Sequence, residues 1–117
     1  MKITNAQVLY IWNVFNNKFE KTKDIKIKWN ITEIAKEIYD IKSRFDIQKD
    51  AIINEYGVES EDGTKSLPLT DEHIKELFMC ESNVSPISLE EITELNLTFD
   101  EIMVLKPILV ESKKNIN

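Results

Sequence analysis

The side chains that could do chemistry are few, and their spacing argues against catalysis. The chain has one histidine, His73, and one cysteine, Cys80. They are seven positions apart, about 10.5 Å along a helix, which is too far for the imidazole to act as a base for the thiol. A structural zinc site needs four cysteine or histidine ligands, more than this chain has. We therefore expect a protein that is not an enzyme and holds no metal or cofactor, with Cys80 as a small apolar filler.

Three carboxylates surround an Asp-Gly turn in the second half of the chain. Glu59, Glu61 and Asp62 precede Gly63. The spacing is not that of a calcium-binding EF-hand, because position twelve counted from Glu59 is Thr70 and not the closing glutamate. We interpret the stretch as a solvated acidic turn. Its three carboxylates are the favoured candidates for a surface that binds a basic partner.

A basic and aromatic cluster is the alternative binding site. Lys26, Lys28 and Trp29 could hold a phosphate and stack a base, so a signalling nucleotide is the alternative ligand. A tryptophan at this position is more often a core residue, and the interleaved acids Glu20 and Asp24 weaken the patch. If neither set of charges matters for binding, an apolar interface around the N-terminal helices is the third reading.

Charge is divided unevenly along the chain. Residues 1–50 hold ten Lys and Arg against seven Asp and Glu, whereas residues 51–117 hold five against fourteen, and the net charge is −6. This pattern is more typical of a binding protein than of an enzyme, although two solvated faces of an ordinary domain would also produce it. The acidic half would repel phosphates, so binding to duplex DNA is not expected.

Capping signals predict the helices that position these groups. A capping box that begins at Thr4 opens the first helix. The segment 24–29 alternates between apolar and polar residues, which predicts a short strand or strand-like connector, with a helical continuation as the alternative. A second capping signal at Asn30 opens a long helix that ends at Tyr56, with Gly57 as its C-cap.

Apolar stripes predict that these two helices pack as an antiparallel pair. The stripes comprise Val8, Ile11, Trp12, Phe15 and Phe19 on the first helix, and Ile31, Ile34, Ile38, Ile41, Phe45 and Ile52 on the second. Later seam positions of the long helix are Gln48 and Glu55, so we expect its end to lean toward solvent. Sharing the stripe between protomers would bury more apolar area, so a homo-oligomer is a further expectation.

Shorter elements follow the acidic turn. Thr70 is expected to cap a third helix ending near Glu81, Ser88 a short helix, and Thr98 a last helix that Pro107 kinks or ends. The predicted fold is mainly α: one domain over residues 1–117, with a long-helix antiparallel hairpin, two or three shorter helices packed across it, and a small β-hairpin or extended segment. More than about half of the residues should be helical.

The sequence shows neither a membrane-spanning segment nor a signal peptide pattern. No apolar run approaches the length that spans a bilayer, and the N-terminal residues mix asparagine and glutamine with apolar side chains, unlike a signal peptide. We therefore expect no membrane association and a location in the cytoplasm where the chain is made.

The order of segments carries a resemblance. A long charged helix, a terminal Tyr-Gly and an acidic Asp-Gly turn make up KIKWNITEIAKEIYDIKSRFDIQKDAIINEYGVESEDG. A Pro-Ile turn, a short acidic helix and a capped helix with a central Leu make up PISLEEITELNLTFDEIMVLKPILVE. Over roughly residues 25 to 111 the chain resembles an uncharacterised family of short phage and prophage proteins from low-GC Gram-positive bacteria. Its loop after Gly63 is shorter than in many members of that family. The resemblance implies a phage or mobile-element gene expressed in the cytoplasm of the bacterial host, and it transfers no catalytic residue.

Together these observations favour binding over catalysis. We expect a non-catalytic, phage-encoded protein that blocks or sequesters a host component, as an antagonist of a bacterial antiviral defence system. A host protein is the expected partner. The alternative from another class is a virion-assembly factor or structural adaptor.

Overall fold

The protein is mainly α-helical, as predicted. The computed structural model describes residues 1–93 and 95–111, and more than half of them are helical. The helices are α1 (Asn5–Lys21), α2 (Ile25–Tyr56), α3 (Glu72–Met79), α4 (Leu89–Thr93) and α5 (Phe99–Leu105), which a 3₁₀ turn (Lys106–Ile108) follows. The strands are β1 (Lys2–Thr4), β2 (Val58–Glu59), β3 (Lys65–Ser66), β4 (Glu81–Asn83), β5 (Ile87–Ser88) and β6 (Leu109–Val110).

Helix α1 begins with the predicted capping box. Thr4 Oγ1 accepts a hydrogen bond from the Gln7 N–H at 3.2 Å, and Gln7 Oε1 accepts from the Thr4 N–H at 2.8 Å. These bonds satisfy backbone donors that the first turn of a helix leaves unpaired. At the other end the Thr22 hydroxyl donates to the Lys18 carbonyl at 2.8 Å.

Helix α2 begins earlier than predicted. It starts at Ile25, where the side chain of Asp24 accepts from the Ile27 N–H at 3.1 Å, and the predicted start at Asn30 is wrong. The predicted strand over 24–29 is also wrong, and the alternative of a helical continuation is confirmed. Asp24 is itself a good N-cap, and Ile27 precedes the buried Ile31 by one helical turn, so a continuous helix extends the same apolar face.

Helices α1 and α2 form the predicted antiparallel hairpin. The Trp12 ring lies 5.2 Å from the Tyr39 ring, and the Lys28 ammonium lies 5.3 Å above the Phe19 ring. Later residues of α1 therefore contact earlier residues of α2, which is the arrangement of an antiparallel pair. The connection of residues 22–24 is short enough to force this reversal.

One core joins the hairpin to the rest of the chain. Its buried residues include Val8, Ile11 and Phe15 of α1, Ile31, Ile34, Ile38 and Ile41 of α2, and Ile87, Ile92, Leu95, Leu105 and Ile108 from the C-terminal part. Phe45 of α2 is also buried and packs on Phe78 of α3, with 5.1 Å between ring centroids. Beyond Phe45 the end of α2 lies outside the core. Gln48 and Glu55 are exposed there, as predicted.

The strands of the described residues pair two by two, in one local hairpin and two pairings between distant segments. β2 and β3 form the predicted hairpin, and Gly63 in its turn has a φ of +85°, which favours glycine. β1 pairs antiparallel with β4, and β5 pairs parallel with β6. The last two pairings were not predicted.

The shorter helices follow their capping residues with one shift. Asp71, not Thr70, caps α3. Its carboxylate accepts hydrogen bonds from the His73 N–H at 2.9 Å and from the Ile74 N–H at 3.2 Å. Ser88 and Thr98 open α4 and α5 as predicted, and α5 ends one residue before the turn that contains Pro107. Within the described ranges, no helix has the length and apolar character needed to cross a membrane.

Candidate functional site

The three predicted acidic residues lie on the β2–β3 hairpin, where Asp62 is committed to the turn. All three side chains are exposed. Asp62 accepts hydrogen bonds from the hydroxyls of Ser60 and Thr64 and from the Thr64 N–H at 3.0 Å. These bonds lower the pKa of Asp62 to about 2. Glu59 faces Lys65 across the strands. Recognition of a basic partner by Glu59, Glu61 and Asp62 stays a prediction.

The predicted basic and aromatic residues occupy one turn of α2 without forming one surface. Lys26 and Lys28 are two positions apart, about 200° around the helix, so their ammonium groups point away from each other. Lys28 turns toward α1 and lies over Phe19. Trp29 is 69% exposed, so the expectation of a core tryptophan is wrong. The reason is the continuous helix, which places Trp29 opposite the buried stripe.

An open aromatic groove runs between α1 and α2. It has a volume of about 260 Å³ and is lined by Trp12, Phe15, Asn16, Phe19, Thr32, Ala35, Lys36 and Tyr39. Phe15 is 1% exposed and forms the floor, whereas Tyr39 is 50% exposed and forms a wall. Trp12 and Phe19, predicted as core residues, are half-buried and border the opening.

The width of the α1 stripe creates this groove. Trp12 and Phe19 lie seven positions apart, on the flank of the stripe that contains Val8 and Phe15. The core covers only the centre of the stripe, so the flank faces outward. Tyr39 of α2 meets it from the other side. The signal for the groove in the sequence is therefore the apolar stripe of α1, which is wider than the surface that one packed helix can cover.

Lysines supply the charge at the groove. Lys36 lines it and Lys28 stands beside it over Phe19, while none of the eight described lining residues carries a carboxylate. The charge carried by the lining itself is thus positive, on a chain whose net charge is −6.

The exposed apolar surface continues toward the start of α2. Ile25 is 83% exposed and Trp29 is 69% exposed. With Thr32 and Lys36 they follow at helical spacing along one side of α2. A contact made in the groove can therefore extend over Trp29.

A second hollow lies between α2 and α3 and is more polar. It has a volume of about 580 Å³, and its lining includes Asn5, Arg44, Gln48 and Cys80. Asn5 is already engaged, since its side-chain amide donates to the Leu77 carbonyl at 2.7 Å. Cys80 is exposed, so the expected filler role is wrong. It follows the last residue of α3, where the backbone turns away from the core.

His73 joins the end of α2 to the start of α3. Its ring stacks on Tyr56 at 3.8 Å, and its Nδ1 lies 3.3 Å from a carboxylate oxygen of Asp71. Both neighbours are structural, because Asp71 is the α3 cap and Tyr56 is the last residue of α2. In the part of the chain that the structure describes, no group of three or more His, Cys, Asp or Glu side chains is placed to hold a metal ion.

Comparison of the chain with models of protein families, with curated proteins and with solved structures gave no match. The resemblance to the phage family therefore stays a prediction, and the groove is the feature of the molecule that bears on function.

Proposed function

We propose that the protein is a non-catalytic, phage-encoded binding protein that blocks or sequesters a host protein, as an antagonist of a bacterial antiviral defence system. The aromatic groove between α1 and α2 is the observation that carries the binding role. The resemblance of the segment order to phage proteins supports the biological setting.

Burial of the groove would supply the driving force for binding. Apolar surface removed from water contributes about 25 cal/mol per Å². Tryptophan and tyrosine dominate binding energy at protein interfaces, and Trp12, Trp29 and Tyr39 all expose ring surface here. This chemistry suits stoichiometric capture of a protein.

The groove is also held rigidly. Both of its walls belong to helices whose adjoining faces form the core, with Ile11 and Ile38 fully buried. A surface fixed in this way loses little conformational entropy on binding. A small protein with such a surface can occupy a host component without any chemical step.

A matched pair of tyrosine variants tests the proposal. Tyr39→Glu places a charge in the groove, whereas Tyr10→Glu places the same charge on the 65% exposed Tyr10 outside the groove lining. We expect the wild-type protein and Tyr10→Glu to restore phage plating on Gram-positive hosts that carry defined antiviral systems. Tyr39→Glu should not restore it. Equal plating with both variants, or no rescue by the wild-type protein in any host, would contradict the proposal.

A virion role would give a different result. If the chain were an assembly factor or adaptor, deletion of its gene would reduce particle yield on hosts without any defence system. Mass spectrometry would then find the protein in purified virions or in assembly intermediates. Either finding, together with no defence-dependent plating effect, would replace antagonism with assembly.

A further inference from the structure

We infer that the groove takes an acidic amphipathic helix of the partner protein. The inference rests on the proposed function only in taking the groove as the binding surface. It adds the secondary structure and the charge of the segment that binds there.

The shape of the site favours a helix. The lining residues run from Trp12 to Phe19 on one wall and from Thr32 to Tyr39 on the other, each about 10.5 Å at 1.5 Å per residue. Ile25 and Trp29 lengthen the second wall, so that residues 25–39 span about 21 Å. Two adjacent helices leave a groove into which a third packs at an axial separation of about 8–10 Å. Neither wall offers the unpaired backbone edge that an extended peptide needs.

The lining of the site favours an apolar face on that helix. Trp12 and Phe19 supply exposed aromatic surface from α1, and Tyr39 supplies it from α2. Aliphatic side chains at positions i, i+3, i+4 and i+7 of a partner helix would meet this surface along one side. Trp29 would then cover the partner beyond the groove.

The charges beside the site favour acidic flanks. Lys28 and Lys36 are eight positions apart on α2, about 12 Å along its axis. Carboxylates two helical turns apart on the partner would meet both ammonium groups. Partial removal from water would strengthen these contacts relative to exposed surface pairs.

The same features disfavour a nucleotide. A phosphate group requires several convergent donors, and Lys36 is the sole cationic residue among the eight described residues that line the groove. Lys28 lies outside this lining, about 12 Å along α2 from Lys36, so the two ammonium groups can meet two separate carboxylates but do not converge on one phosphate. The predicted combination of Lys26, Lys28 and Trp29 does not converge on one point, as described above.

Two synthetic peptides test the inference directly. Both are helical, carry the same stripe of leucines and differ in their flanks, which are glutamate in one and lysine in the other. Binding is followed by fluorescence anisotropy of labelled peptide, and the indole N–H signals of Trp12 and Trp29 locate the contact by NMR. We expect the acidic peptide to bind at least about tenfold more tightly than the basic one.

Charge-reversal variants supply the control. Lys28→Glu with Lys36→Glu should reverse the preference between the peptides, whereas Lys75→Glu on the exposed side of α3 should leave it unchanged. Tyr39→Glu should abolish binding of the acidic peptide. Circular dichroism of each variant establishes that the helices are intact.

Several results would overturn the inference. These are equal or tighter binding of the basic peptide, no binding of either peptide to the folded protein, and displacement of the acidic peptide by ATP at lower concentration than by unlabelled peptide. Displacement of the peptide by self-association of the protein would assign the groove to a second copy.

If the acidic peptide binds but plating is never rescued, the proposed function fails and the inference stands. If plating depends on Tyr39 while the peptides show no acidic preference, the inference fails and the function stands.

Discussion

Asp62 holds the turn of the β2–β3 hairpin through hydrogen bonds from Ser60 and Thr64. Its pKa falls from the usual 3.8 to about 2, chiefly because of the Ser60 and then the Thr64 hydrogen bonds. The folded hairpin therefore favours the ionised carboxylate. Stabilisation by Asp62 is fully present above pH 3.8 and is lost as the pH falls through 2.

An NMR titration of the Asp62 carboxyl carbon checks this prediction. We expect a midpoint near 2, and we expect Ser60→Ala with Thr64→Val to move the midpoint upward because the lowering hydrogen bonds are removed. A midpoint of 3.8 or above in the wild-type protein would show that the turn does not depend on the carboxylate.

Two buried residues of α2, Ile38 and Phe45, report on the packing of the core. Ile38 is 0% exposed and Phe45 is 3% exposed. Ile38→Ala and Phe45→Ala should each lower the free energy of unfolding by roughly 2–5 kcal/mol, through lost burial and a residual cavity. Asp40→Ala, on the exposed side of the same helix, should change it by less than about 0.5 kcal/mol. Chemical denaturation measures the free energy of unfolding of all three variants. If Ile38→Ala and Phe45→Ala lower it no more than Asp40→Ala does, the long helix lies outside the core.

At the scale of elements, an ion pair joins α5 to α1 beside their shared apolar core. Lys18 Nζ lies 3.2 Å from Glu101 Oε1 and also donates to the Asn96 carbonyl at 3.2 Å. Both side chains are mostly buried, at 14% and 17% exposure. Burial raises the pKa of Glu101, but hydrogen bonds from Thr98 and Lys18 lower it by more, so the pKa lies below its usual 4.5.

Removing this ion pair should loosen α5. Lys18→Met should lower the free energy of unfolding by about 1–2 kcal/mol at neutral pH, because the Glu101 carboxylate loses a charged partner. The difference from wild type should shrink as the pH is lowered through 4.5 and below, where Glu101 becomes protonated. Hydrogen exchange of α5 amides should accelerate in the variant. A pH-independent difference would point to lost packing of the lysine stem in place of the charge.

The elements that sequence periodicity predicted are those long enough to show it. α1 and most of α2 carry several turns of apolar residues, and Thr4, Ser88 and Thr98 open helices through local capping bonds that sequence can reveal. The start of α2 was misassigned because six residues of a helix can alternate like a strand. The pairings of β1 with β4 and of β5 with β6 involve two or three residues each and long sequence separations, which no local pattern reports.

The groove was missed for a related reason. Trp12 and Phe19 have the spacing of core residues, and whether a stripe is covered depends on which elements pack against it. Helices α3, α4 and α5 are too short and too engaged with the other side of the hairpin to cover the flank. Trp29 is exposed because α2 is a continuous helix from Ile25, and the strand predicted for this segment did not place it there.

At the scale of the whole molecule, the core interleaves the two halves of the chain. Ile11 and Ile38 share it with Leu105 and Ile108, and the N-terminal ammonium of Met1 donates to the Val84 carbonyl at 2.9 Å. The basic first half therefore packs against the acidic second half. Loss of either half would expose apolar surface of the other, so the two should not unfold separately.

Two probes test this cooperativity. Trp12 and Trp29 report on the α1–α2 hairpin, and a thiol-reactive fluorophore on the exposed Cys80 reports on the end of α3. Because the hairpin and the C-terminal helices share one core, urea unfolding followed by tryptophan emission, by the Cys80 label and by far-UV circular dichroism should give one midpoint and one slope. A label transition that precedes the tryptophan transition would instead show that the hairpin stands without α3, α4 and α5. The groove would then belong to an independently folded hairpin, and residues 1–56 alone should bind the acidic peptide.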